Sequence, residues 1–129
     1  MRAHIAAAVA AGLSAASCAA APAQDVPVQP MVDFSEAARS AGAAPVAAAM
    51  PPDDRALLDG AINSWVHTPL MRRDDLRYAS ACMPHLCVGN RIDVVFDDRG
   101  GAWIGVVSNG VRRVYGPPPP PEVSAVLGR

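Results

Sequence analysis

Residues 91–115 read RIDVVFDDRGGAWIGVVSNGVRRVY, and the period of this stretch decides the fold. Ile92, Val94 and Phe96 alternate with Asp93 and Val95, the two-residue repeat of a strand with one buried face. Asp98-Arg99-Gly100-Gly101 supplies a turn. A second strand then places Ala102, Ile104 and Val106 on one face and Trp103, Gly105 and Val107 on the other. Asn109-Gly110 is the strongest short hairpin signal, because both central residues tolerate positive φ. Val111 to Tyr115 closes a three-stranded antiparallel meander. A turn at Gly89-Asn90 would bring in a fourth strand, His85–Val88.

Working outward, a helix is expected from Asp53 to about His67. Leu57, Leu58, Ala61, Ile62, Trp65 and Val66 recur at helical spacing, Asp53 or Asp54 is placed to cap the start, and Thr68-Pro69 stops it. A second short helix is expected from Asp74 or Asp75 through Leu76, Tyr78 and Ala79 towards Cys82, with both acids at its positive end. A meander with one oily face needs a cover. The expected fold class is therefore α+β: one amphipathic helix packed on a three-stranded, at most four-stranded, antiparallel meander, stapled by a disulfide.

The start of the chain follows the three-part export pattern. Met1-Arg2-Ala3-His4 is a positive n-region, Ile5 to Ala16 is an uncharged h-region, and Ala21-Pro22-Ala23 is a small-x-small cleavage signal. The h-region is shorter than the roughly 20 apolar residues a bilayer span needs. Residues 1–23 are thus read as a signal peptide. Ala15-Ala16-Ser17-Cys18 also has the small residues that lead into a lipidated cysteine, although Ala15 stands where such sites usually carry Leu. Release into the periplasm or medium is the first expectation for location, and a lipid anchor at Cys18 is the alternative.

Without residues 1–23 the chain keeps 12 acidic and 10 basic residues, every basic one an Arg. So even a balance argues against nucleic acid as a partner. Residues 24–52 are rich in Ala and Pro and read as a flexible linker, too poor in large apolar groups to offset ordering entropy of about 1–2 kcal/mol per residue. Residues 53–116 form the expected small domain. Residues 117–129 hold a run of prolines and a tail in which Val123, Val126 and Leu127 could dock as a helical turn.

A unit of this size is marginal without a staple. After signal removal two cysteines remain, Cys82 and Cys87, and in an oxidising compartment they have only each other. The segment Cys82-Met83-Pro84-His85-Leu86-Cys87 is the most suggestive in the chain. Thiol–disulfide oxidoreductases of the thioredoxin type separate two cysteines by two residues; here four intervene. Cys82, His85 and Cys87 are soft ligands for copper or zinc, but a disulfide would remove both sulfurs, and no second cluster completes a site. Asp93, Asp97 and Asp98 beside Gly100-Gly101 lack the alternation of a calcium loop. His67 and His85 lie in no nucleophile context, so no catalytic residue and no metal site is assigned, and no cofactor is implied. Trp103, Arg112 and Tyr115 are the candidate binding surface, as aromatic and cationic groups of one sheet.

The leading expectation is a non-catalytic exported envelope protein, a small binding or accessory module that contacts another protein or the cell wall. A metal or redox protein using Cys82, His85 and Cys87 is the alternative, and a small enzyme with an unrecognised site comes last.

Overall fold

A computed structural model describes residues 24–129; the expected signal peptide and Cys18 lie outside the described residues. The elements run β1 (Val26–Pro27), α1 (Phe34–Ala38), α2 (Ala44–Ala49), α3 (Pro52–Ser64), β2 (Val66–His67), β3 (Met71–Arg73), β4 (Leu76–Cys82), β5 (Arg91–Asp97), β6 (Ala102–Ser108), β7 (Val111–Tyr115) and α4 (Pro121–Leu127). The fold is a seven-stranded antiparallel sheet in the order β1-β3-β4-β5-β6-β7, with β2 also paired to β4. This corrects the expected single helix on a three- or four-stranded meander.

The meander itself stands as β5, β6 and β7. Ile92 faces Val106, Val94 faces Ile104, and the Asn109-Gly110 turn joins β6 to β7 with both residues at positive φ, 49° and 78°. The main error lies one strand upstream. The residues expected as a short helix are β4, which pairs with β5 along its whole length from Leu76↔Asp97 to Cys82↔Arg91. Its two faces do alternate, but one of them holds only Arg77, Ala79 and Ala81. Alanines carry no strand signal in sequence, yet Ala79 and Ala81 are fully buried because helices press close over them. His85–Val88 forms no strand and belongs to the loop between β4 and β5.

Two cores cover the two faces of the sheet. On one, Ala79, Ala81, Ile92, Val94, Phe96, Ile104 and Val106 pack beneath α1, α2 and α3. On the other, Leu76, Tyr78, Val95 and Trp103 pack beneath α4 through Val123, Val126 and Leu127. The strands β5 and β6 are therefore buried on both sides, which turns the expected half-wet sheet into the middle layer of three. Gly105 makes the second contact tight. A Cβ there would lie 2.8 Å from Leu127 Cδ2, so α4 rests directly on the backbone of β6.

Residues 24–52, expected as a linker, are folded. Phe34 is fully buried, Ala37, Ala38 and Ala43 join it in the core, and the strap is held by backbone hydrogen bonds Val28 N to Leu70 O (2.9 Å) and Phe34 N to Thr68 O (3.1 Å). One aromatic anchor and several alanines suffice because the neighbouring surface is already apolar. The tail docks as well, with the Trp103 indole N–H donating to the Pro117 carbonyl at 2.7 Å to fix the start of the proline run. The folded unit thus extends on both sides of the expected 53–116. The helix α3 ends at Ser64, so Trp65 and Val66 leave it; Val66 passes to β2 and is 57 % exposed.

Polar ties join distant parts of the chain. Asp54 does not cap α3; its buried carboxylate accepts a bidentate pair from Arg113, Nε at 2.6 Å and Nη2 at 2.7 Å, and also the Tyr115 hydroxyl. Asp25 accepts Arg73 Nη2 at 2.9 Å and Nε, and lies 3.4 Å from Arg129 Nη1. The Arg73 hydrogen bonds hold the Asp25 carboxyl down from the ordinary 3.8 to about 2. A lowered acid binds fewer protons folded than unfolded, so its contribution is present above pH 3.8 and fades as pH falls towards 2. The wild-type melting temperature should fall over this window, and Asp25→Asn should start lower and fall less. An equal slope in the two proteins, measured by thermal melts across the window, would remove Asp25 from the account.

Candidate functional site

The β4–β5 connection carries the longest exposed run between two paired strands of the meander side of the sheet, Pro84 to Val88. Cys82 ends β4 opposite Arg91, and the Cys82–Cys87 disulfide closes a six-residue ring with Cα atoms 4.8 Å apart. The base of the loop is bonded internally, Met83 N to Asn90 O at 3.1 Å and Leu86 N to Met83 O at 3.0 Å. It is also tied to the adjacent hairpin, Gly110 N to Gly89 O at 3.1 Å and Asn109 N to Asn90 Oδ1 at 3.2 Å. The loop is thus braced below, while Pro84, His85, Leu86, Cys87 and Val88 are all exposed.

Two features of that tip are unusual. Leu86 is 56 % exposed and Val88 fully so, with Val66 of β2 exposed beside the loop base, giving an uncovered apolar rim. His85, inside the ring, has φ 66°, a left-handed conformation uncommon outside glycine. The other described histidine is differently placed. His67 donates Nε2–H to the Ala61 carbonyl at 2.7 Å and sets Nδ1 3.6 Å from Asp33, so it ties α3 to the strap. His85 is held out to solvent.

Beneath the loop lies a groove of about 490 Å³ between the disulfide, Val66, Val126 and Arg129. Its polar floor is Asp93, which is 3 % exposed, accepts Arg91 Nε at 3.0 Å and accepts the Ser80 hydroxyl. Burial pushes the Asp93 carboxyl up, against the opposing pull of Ser80 and Arg91. Its sign is opposite to that of Asp25: this group alone favours the folded state less as pH rises.

The structure does not bring Trp103, Arg112 and Tyr115 together. Trp103 is 3 % exposed in the core under α4, Tyr115 lies on the other face with its hydroxyl on Asp54, and Arg112 is exposed on the edge strand. Cys82 and Cys87 are bonded to each other, so neither is a thiolate ligand or a free redox thiol, and the metal and redox alternative is not retained. His85, Leu86 and Val88, which the sequence reading did not put forward as a binding surface, are the exposed residues instead. Their signal was present: two cysteines closing a ring around Pro-His, in a stretch with neither helical nor strand period.

An uncovered loop, closed by a disulfide and bonded at its base, stands on a sheet packed on both faces, and such preformed loops are the usual carriers of binding residues. Residues 44–129 match the family described as Inhibitor of vertebrate lysozyme (Ivy), and the chain belongs to that family. No curated protein and no solved structure matches the chain. The expectation of a non-catalytic binding module is met at that level. Among the described residues no helix is long and apolar enough to cross a membrane.

Proposed function

We propose that this protein is an exported inhibitor of lysozyme, and that the Cys82–Cys87 loop is the inhibitory element, entering the sugar-binding cleft of the enzyme. The observation that carries the reading is the tip itself: five consecutive exposed residues, Pro84 to Val88, all but the last inside a disulfide-closed ring and including a histidine at positive φ. Glycoside hydrolases of this kind work with two carboxyl groups about 5 Å apart, one of them kept protonated by its apolar surroundings. An imidazole delivered between them offers a donor to the carboxylate and an acceptor to the acid. Leu86 and Val88 supply apolar area to the walls of the cleft. Because the disulfide and the base hydrogen bonds fix the tip in advance, little ordering entropy remains to oppose binding.

His85→Ala tests this. A central, desolvated contact residue typically costs about 2–4 kcal/mol on truncation, so the inhibition constant in a cell-wall lysis assay should rise on the order of 30- to 1000-fold. The melting temperature should not move by more than a few degrees. Inhibition left intact by His85→Ala, with the fold unchanged, removes the loop from the mechanism.

The partner is thus a protein whose own substrate is the cell wall. Release after signal cleavage and anchoring at Cys18 are both compatible with that role. The strap at Val26–Pro27 leaves few residues between a lipid at Cys18 and the folded domain, so an anchored form would sit close to the membrane.

A further inference from the structure

A second cavity lies on the helical face, at the opposite end of β4 from the disulfide. It measures about 470 Å³ and is bounded by α1, by the turn Ser40–Gly42 and by the end of the sheet. Cys82 lies five steps along the strand from Arg77, roughly 16 Å at ~3.3 Å per step, so this cavity is distinct from the loop. Its walls are mostly apolar, with Val32, Leu70 and Phe96, and its one cation is Arg77.

Arg77 stands apart from its equals. Among the described residues Arg72, Arg73, Arg91 and Arg113 are half-buried and each faces a carboxylate, on Asp98, Asp25, Asp93 and Asp54 respectively. Arg77 is half-buried too and has no such partner within ion-pair distance among the described residues. Its Nε is the buried side-chain polar atom left without a hydrogen bond among the described residues. The guanidinium instead lies over the Phe96 ring, 5.5 Å from its centroid. Buried polar groups are normally paired, and an unpaired cation at the wall of an open apolar cavity is the arrangement of an anion site. Glu36 lines the same mouth and is exposed, which disfavours a second negative charge on whatever enters.

We propose that this cavity binds a small amphipathic monocarboxylate, its carboxylate on the Arg77 guanidinium and its aliphatic body against Phe96, Leu70 and Val32. The chemical class follows from the wall: one fixed positive charge, a rim acid that rejects dianions, and apolar surface for the remainder. A carboxylate matches the planar guanidinium in two parallel hydrogen bonds.

Sodium octanoate is the probe, titrated into isotope-labelled protein and followed by amide chemical shifts. Saturable shifts should cluster at Ala41, Gly42, Leu70, Arg77 and Phe96, with Kd on the order of 0.1–1 mM for so small a ligand. Arg77→Gln should weaken binding at least tenfold while keeping the native spectrum, and Arg77→Lys should retain part of it. Ala41→Leu, at an exposed position on the mouth, should block entry without disturbing the core, and so serves if Arg77→Gln fails to fold. The proposal is overturned by any of three results: 1-octanol binding as tightly as octanoate, inorganic phosphate producing the same shifts, or shifts scattered away from these residues.

Discussion

Cys82→Ser with Cys87→Ser should raise the inhibition constant against vertebrate lysozyme at least a hundredfold and yet leave a folded protein. The two effects separate because the disulfide spans so little chain. Closing a loop of this length removes only about 2 kcal/mol of denatured-state entropy, and both cores lie elsewhere, under α1 to α3 and under α4. The tip is another matter. Without the ring, Pro84 to Val88 lose what holds His85 at φ 66°, and the ordering cost returns at the moment of binding. Wild-type protein treated with reductant should behave like the double variant. The check is a lysis assay beside a thermal melt on the same samples. A double variant that inhibits as well as the wild type means the loop needs no preorganisation and the proposed mechanism fails.

Phe34→Ala should destabilise the protein by about 3–5 kcal/mol, the usual range for deleting a fully buried aromatic side chain. At roughly 4–8 °C per kcal/mol for a domain of about this size, the melting temperature should drop by about 12–40 °C. Phe34 lies in the strap that precedes the family match at residues 44–129. A protein trimmed to the matched residues loses Phe34, Ala37, Ala38 and Ala43 from the first core, and uncovers Ala79, Ala81 and Phe96 beneath them. It should aggregate or melt without cooperativity. A trimmed protein with the wild-type melting temperature would show that the strap merely rests on the domain.

The meander was legible because its signals are local. Asn109-Gly110 must turn, and Ile92, Val94 and Phe96 must share a face. The helix α3 was legible for the same reason, its stop coming a few residues early. What escaped was everything whose stability is tertiary. Ala79 and Ala81 are core only because helices lie over them, and the strap folds only because Phe34 finds a wall already built. Val95 and Trp103 look like a solvent face until α4 arrives to cover them. The ion pairs that span the chain, Asp54–Arg113 and Asp25–Arg73, have no sequence spacing to announce them. The site itself was half visible. The Cys82–Cys87 pairing follows from arithmetic and compartment, while the exposure of His85, Leu86 and Val88 depends on where β4 stops.

The loop's hydrogen bonds run to its own base and to the neighbouring Asn109-Gly110 turn, and its tip contributes nothing to either core. Substitutions at Met83, His85, Leu86 or Val88 can therefore accumulate with little penalty to folding. If the loop is the inhibitory element, as proposed, its target preference can be altered by substitution at the tip on a scaffold that need not change at all.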